Sequence, residues 1–221
     1  MSLHTRRQRT VSVIARTRLS AIIRADDTEL ARGAMAAAVE GGFRMVEFTL
    51  TTPRALELIA EFSQDTDLIV GAGTVMTPAI VQEAVSAGAA FIVSPICDSE
   101  VLAEAARLDV VTIPGAFTPT EMQRAHVLGA DFVKVFPAPP GGVEYIHAIR
   151  APLPHLRLFP TAGVTPDNFV EYLRAGCSGV GFVRSLFDAT DLAARNFTAI
   201  RDRAASVHRR YAACRPELAA L

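Results

Sequence analysis

Lysine occurs once in this chain. Of 22 basic residues all but Lys134 are arginines, and Lys134 stands in the apolar run FVKVFP at 132–137. Arginine is the better cation for a buried ion pair, because its guanidinium is weakly hydrated and permanently charged. What arginine cannot do is release a proton and attack a carbonyl. A lysine at the reference pKa of ~10.4 is neutral in roughly 0.04% of molecules at pH 7, so a reactive amine needs an apolar pocket or a neighbouring cation to lower that value. The chemistry predicted for Lys134 is therefore Schiff-base formation with a keto group. Glu47, in RMVEFTL, is the carboxylate that falls late in a strand-like run. It is predicted to move protons around the carbinolamine and enamine. The competing reading of the same two residues is a structural ion pair.

Two more charged groups fall late in apolar runs, Arg24 and Arg184, whereas Asp109 and Arg157 open theirs and belong to the opposite end. Side chains alternate along a strand, so if Lys134 faces inward Phe136 does too, and if Glu47 does then so do Thr49 and Thr51. Other chemistries have less support. The five histidines, His4, His126, His147, His155 and His208, fall in helix-like or loop-like stretches, with no metal-ligand cluster and no place for a serine–histidine pair. No metal and no cofactor is expected. GAG at 71–73 is too short for a dinucleotide fingerprint and reads as close packing at a strand end.

These residues need a frame. Eight short apolar runs, SAIIRA, RMVEFTL, LIVGAGT, AFIVSP, VVTIPG, FVKVFP, LRLFPT and GVGFV, alternate with helix-like stretches near 27–41, 53–63, 78–87, 98–107, 118–128, 142–150 and 166–175, and a last one over about 189–212. Thr-Pro recurs at 52–53, 77–78, 118–119 and 165–166, where threonine suits the N-cap and proline the first helical position. Thr118 with Glu121 has capping-box spacing. EGGFRMVEF, SAGAAFIVS, VLGADFVKVF and RAGCSGVGFV each read as a helix end, a left-handed glycine and a strand. Strands alternating with helices pair in parallel through right-handed crossovers. The predicted fold is a closed (β/α)₈ barrel, with a doubly wound open sheet as the alternative. A leading helical segment precedes it and a long helix ends it. The whole of 1–221 is read as one domain with its core at about 19–187.

The composition sets limits. Half of the 221 residues are hydrophobic and the net charge is −1, which gives no pull toward nucleic acid or an anionic membrane surface. No apolar run has the length of a membrane span. Three scattered cysteines suggest a reducing compartment. The arginine-rich start reads as a solvated leading helix, with a transit peptide as the other possibility.

The motifs VEFTLTTP, GAGTV, IVSP, TIPGAFTPTE, FVKVFPA and PTAGVTPDN occur in order over about residues 19–187. In them the chain resembles the 2-keto-3-deoxy-6-phosphogluconate / 4-hydroxy-2-oxoglutarate aldolases, which are class I enzymes. IIRADD and SPICDSEV are similar to the branch acting on 2-dehydro-3-deoxy-6-phosphogalactonate. The resemblance implies cleavage of a 2-keto-3-deoxy sugar acid to pyruvate and an aldehyde by a cytoplasmic homotrimer whose only partner is its small-molecule substrate. It implies an imine on Lys134, proton shuttling by Glu47, substrate hydrogen bonds from Thr74 and Thr161, and pocket walls at Pro95 and Phe136. Three departures stand out. Thr51 occupies a position where many members have a carboxylate-binding arginine, which leaves Arg24 to take over that role or to pair with Glu47. Ala162-Gly163 replaces Gly-Gly. Val183-Arg184 replaces a phosphate-binding Gly-Ser, so that Arg184 either binds an anion itself or is a solvated side chain at the rim. A barrel that binds or isomerises a sugar acid without cleaving it is the alternative function.

Overall fold

The structure, a computed structural model, describes residues 5–218. His4 and the extreme ends of the predicted domain lie outside the described residues. The strands are β1 (Leu19–Ile23), β2 (Met45–Thr49), β3 (Ile69–Gly73), β4 (Phe91–Val93), β5 (Val111–Ile113), β6 (Gly115–Ala116), β7 (Val133–Val135), β8 (Leu158–Pro160) and β9 (Val180–Phe182). The helices are α1 (Arg6–Thr17), α2 (Thr28–Glu40), α3 (Ala55–Phe62), α4 (Pro78–Ser86), α5 (Ser99–Arg107), α6 (Pro119–Val127), α7 (Val143–Arg150), α8 (Phe169–Arg174), α9 (Ala189–Ala193) and α10 (Phe197–Leu218).

All strand pairs are parallel, in a six-stranded sheet of order β5-β4-β3-β2-β1-β9 and a three-stranded sheet of order β6-β7-β8. The order runs through neighbouring units without the reversal that marks a doubly wound sheet. The one predicted strand VVTIPG is split into β5 and β6 at Pro114, which has no N–H for the ladder. Its carbonyl still accepts from Lys134 N–H at 2.9 Å, and Thr112 accepts from Phe132 N–H at 3.2 Å. These bonds connect the two sheets on one side. On the other, Ser178 N–H donates to Leu158 C=O at 2.9 Å, just ahead of β9. β1, β2 and β3 are buried at every position, as their continuous apolar composition requires.

Helix boundaries follow the predicted punctuation in two of four Thr-Pro cases. Thr77 and Thr118 cap α4 and α6, each accepting from the third residue on at 3.3 Å, and Glu121 completes the box to Thr118. At Thr52-Pro53 the helix begins later and the Thr52 hydroxyl accepts from Ala25 N–H instead, whereas at Thr165-Pro166 the Thr165 hydroxyl makes cap-like bonds to the Asp167 and Asn168 N–H groups in the turn that leads into α8. The four junction glycines, Gly42, Gly88, Gly129 and Gly176, all have positive φ. At Gly129 a Cβ would meet nothing within 4 Å, so the left-handed backbone alone demands glycine there. The final helix is broken into α9 and α10 around Arg195, which has φ 48°.

Two cores result. The larger lies between the strands and the surrounding helices. The smaller joins inward residues near the strand starts, among them Met45, Phe91, Val111, Phe132 and Phe159, with Ile14 of α1. Helix α1 is thus seated against the N-terminal ends of the strands. Its Thr5 capping box, the fully buried Ile14 and the Arg7–Asp131 ion pair at 2.8 Å make the arginine-rich start part of the fold. Among the described residues no helix is long and apolar enough to cross a membrane.

Candidate active site

Lys134 is the middle residue of β7. Val133 and Val135 on either side are buried in the outer core, so alternation turns the lysine inward, where it is half-buried. Glu47 occupies the same inward row of β2 and is 2% exposed. Room for its carboxyl comes from β3: a Cβ at Gly73 would stand 2.0 Å from Glu47 Oε1. The neighbouring Gly71 leaves space for the Phe91 ring, at 2.3 Å from a built Cβ. The GAG stretch is therefore close packing, as the sequence suggested, but half of that packing serves a carboxylate.

No ion pair or hydrogen bond ties Lys134 to Glu47, and Glu47 Oε1 is buried without a partner. Burial pushes the Glu47 carboxyl above its usual range, with Lys134 and Arg24 working against it. Burial likewise holds the Lys134 amine below its usual value; Glu47 opposes this, and the Arg24 cation adds to it. Both groups are thus moved toward their neutral forms, which suits nucleophile and proton carrier better than it suits a salt bridge. Lys134 Nζ also lies 5.0 Å from the centroid of the Phe136 ring, two residues on in the same inward row.

These groups open into a pocket of about 710 Å³ at the C-terminal ends of β1, β2, β7, β8 and β9. Of the residues singled out from the sequence, Lys134, Glu47, Arg24 and Phe136 line it, together with Thr161, Gly163 and Arg184 from the last two strand ends. Thr161 is 4% exposed and follows β8 directly. Gly163 has φ 76°, and a side chain there would press on Ala138 at 2.9 Å. Thr51, Thr74 and Pro95 are not in the lining. Thr51 fails because β2 ends at Thr49 and the chain turns, with Thr52 N–H donating to Thr49 C=O at 2.9 Å. Alternation cannot be extended past that turn. Thr51 is exposed with its hydroxyl 3.1 Å from that of Thr49, while Thr52 is buried and accepts from Ala25 N–H at 3.2 Å. Thr74 sits at the rim and accepts from Arg24 Nη2 at 3.4 Å. Its φ of 64° is an uncommon conformation for a β-branched residue. Pro95 follows β4, and its carbonyl packs against Gly115.

Sequence reasoning missed Thr165, Ser185 and Asp26 as lining residues. Thr49, which also lines the pocket, was recoverable from alternation with Glu47. The other three come from loops and carry no periodic signal. Among the described residues no group of three or more His, Cys, Asp or Glu is arranged to hold a metal ion. Cys97 is half-buried, and burial raises its thiol above the usual value.

The chain is similar to known aldolases. The chain is 35% identical over 175 residues to the 2-dehydro-3-deoxy-6-phosphogalactonate aldolase of Escherichia coli K12, covering 77% of this chain and 85% of that protein. A Legionella pneumophila KDPG aldolase, solved with pyruvate captured at low pH as a covalent carbinolamine, superposes with a TM-score of 0.80 at 30% identity, covering 90% of this chain and 97% of the other. A cube-shaped, highly porous cage designed by fusing symmetric oligomeric domains contains a chain that matches with a TM-score of 0.80 at 31% identity, covering 90% of this chain and 73% of that one. The family model for the KDPG and KHG aldolases matches residues 11–202, and with a lone inward lysine and a buried glutamate at the strand ends, the chain belongs to that family.

Proposed function

We propose that Lys134 and Glu47 are the catalytic pair of this aldolase, a class I enzyme that cleaves a 2-keto-3-deoxy sugar acid phosphate to pyruvate and an aldehyde. The observation that carries the assignment is the amine itself: the chain's one lysine, held below its usual pKa in a pocket and engaged in no ion pair.

The chemistry follows from the arrangement. Neutral Lys134 attacks the C2 ketone to give a carbinolamine, and a proton delivered to the departing hydroxyl releases water and leaves the iminium. That cation is the electron sink for the next step. Removal of the C4 hydroxyl proton breaks the C3–C4 bond, the aldehyde leaves, and the electron pair rests in an enamine. Protonation at C3 gives the pyruvyl imine, and water returns pyruvate and the free amine. Glu47, whose raised pKa lets it both take and give a proton, is the shuttle for these transfers. The Phe136 ring offers its face to the positive nitrogen. Arg24, oriented through Thr74, is placed for the carboxylate next to the keto carbon, and Thr161 for a hydrogen bond to the substrate. Pro95 is taken as a pocket wall, and Thr51 as reaching the site through Thr49, whose hydroxyl lies 3.1 Å from its own.

The same reading takes 1–221 as one domain and its strands as a closed (β/α)₈ barrel. The bonds that join the two sheets on both sides support closure. The same reading includes assembly as a homotrimer, and the likeness to a cage built from symmetric oligomeric domains supports a symmetric oligomer. A cytoplasmic location is supported by three free thiols, Cys97, Cys177 and Cys214.

Incubation with pyruvate and borohydride tests the assignment. Peptide mapping is expected to find one reduced pyruvyl group, on Lys134. An unmodified protein, or label confined to the N-terminal amine, sinks it.

A further inference from the structure

Arg184 follows β9, which pairs with β1 in the register Ala21↔Phe182. Past that pair β9 ends and the chain turns, Leu186 N–H and Phe187 N–H both donating to Val183 C=O, so Arg184 stands in the turn after β9 while Arg24 directly follows β1, the adjacent strand. The two arginines nevertheless face different tasks. Arg24 reaches across β2 to Thr74, beyond β3, which takes it over Glu47 and away from β9. Arg184 is exposed in the pocket wall and has no ion pair or hydrogen bond among the described residues.

The polar groups around Arg184 are already engaged. Ser185 Oγ donates to Val164 C=O at 2.7 Å. Thr165 Oγ accepts from the N–H groups of Asp167 and Asn168, both at 3.3 Å. The Asn168 amide bridges Thr165 N–H at 2.8 Å and Gly163 C=O at 2.9 Å. Val183 fills part of the wall with an apolar side chain. The guanidinium, with up to five N–H donors in a fixed fork, is the cationic donor that this end of the pocket leaves uncommitted. The acids in the lining are Glu47 and Asp26, and neither forms an ion pair with it.

We propose that Arg184 selects the tail of the substrate: it binds a terminal anion, phosphate ester or carboxylate, on the half that leaves as aldehyde, while Arg24 serves the carboxylate beside the keto group. The preferred substrate is then anionic at both ends and held between two arginines that follow neighbouring strands. This rests on the aldolase reading, and it assigns to one side chain the discrimination between charged and neutral tails.

The test compares wild type, Arg184→Ala and Arg184→Lys on three retro-aldol substrates: a 2-keto-3-deoxy sugar acid with a 6-phosphate, its unphosphorylated counterpart, and 4-hydroxy-2-oxoglutarate with its terminal carboxylate. Removing the fork is expected to lower the ratio of kcat/KM for anionic over neutral tail by about 10- to 150-fold. Lysine keeps a point charge but not the fork, so if phosphate is the native tail the lysine variant retains most of the ratio, and if carboxylate is, it loses most of it. A ratio in Arg184→Ala within twofold of wild type, whether both activities fall together or neither does, overturns the assignment. So does a wild type indifferent to the tail. Borohydride trapping of pyruvate, which has no tail, is run alongside. Failure to trap in the wild type defeats the aldolase reading itself, whereas normal trapping with an unmoved ratio defeats only the role of Arg184.

Discussion

At the N-terminal ends of the strands, Arg7 of α1 donates to both oxygens of Asp131 at 3.0 and 2.8 Å, and to the Gly129 carbonyl at 2.6 Å. Asp131 also accepts from Thr112 N–H at 2.9 Å. Asp109 receives the backbone N–H of Arg7 at 3.3 Å. Burial alone would raise the Asp109 carboxyl, yet hydrogen bonds from Thr5, Arg7 and Arg6 outweigh it and hold the group below its usual value. At the other end of the same strands, Glu47 Oε1 has no partner and Lys134 no counter-ion in contact. Charges at one end are satisfied, and hydrogen bonds favour the ionised form of Asp109. At the other they are left unsatisfied and pushed toward neutrality. A buried charge without a partner costs stability, so its retention marks work other than holding the fold together.

The contrast can be broken by exchanging the consequences of mutation. Glu47→Gln, which keeps shape and removes the proton carrier, is expected to lower turnover by 10²- to 10⁴-fold while pyruvate still traps slowly on Lys134. Its thermal midpoint is expected to stay level or rise, since a strained acid has been removed. Wild-type turnover in this variant makes Glu47 a bystander and erases the difference between the two ends.

Asp131→Ala addresses the paired end. It strands the Arg7 guanidinium and the Thr112 N–H, a loss of about 1–3 kcal/mol. For a chain of this size that corresponds to roughly 2–4 °C in Tm per kcal/mol. Specific activity of the folded fraction should be unchanged. A variant that melts normally but traps pyruvate poorly contradicts the division of labour.

The smallest effect is a displacement along the pH axis. Trapping at saturating pyruvate needs the neutral amine, so its rate rises with pH through the pKa of Lys134, which lies below the usual 10.5. Arg24 helps to lower that value and Glu47 raises it. The Arg24→Ala profile should therefore move to higher pH, and the Glu47→Gln profile to lower pH. Shifts of equal sign in both variants are incompatible with direct electrostatic contact across the pocket.

The chemistry of the site was largely legible because it rests on composition and period. A single lysine is visible by counting, and inward-facing Lys134 with Phe136, or Glu47 with Thr49, follows from the two-residue repeat of a strand. Legibility stopped where the repeat stopped. Thr51 was extrapolated along β2, but the strand ends at Thr49 and the turn places Thr52, not Thr51, inside. Thr165 and Ser185 belong to loops whose course depends on bonds with Asn168 and Val164, past the strand ends where the two-residue period no longer applies. The break at Pro114 is plain in retrospect, since a proline inside an apolar run removes a ladder donor, yet that run also reads as one continuous strand.

By itself the sequence determined the alternation of strand and helix, through apolar runs, threonine caps and left-handed glycines, because these are interactions between residues a few positions apart. It also determined which residue could be the nucleophile, because only one amine was present on a side chain. What the tertiary structure decided was partnership. Lys134 and Glu47 are 87 positions apart in the chain, and whether they pair or face an open pocket depends on strand order and on the space at Gly73. Ile14 and Arg7 become a seal only because distant strand ends converge beneath α1. Arg24 and Arg184 become neighbours only through the β1–β9 pairing. Distances of that kind are set by burying apolar strands on both faces at once, a condition that acts on the whole chain and leaves no mark in any short stretch of it.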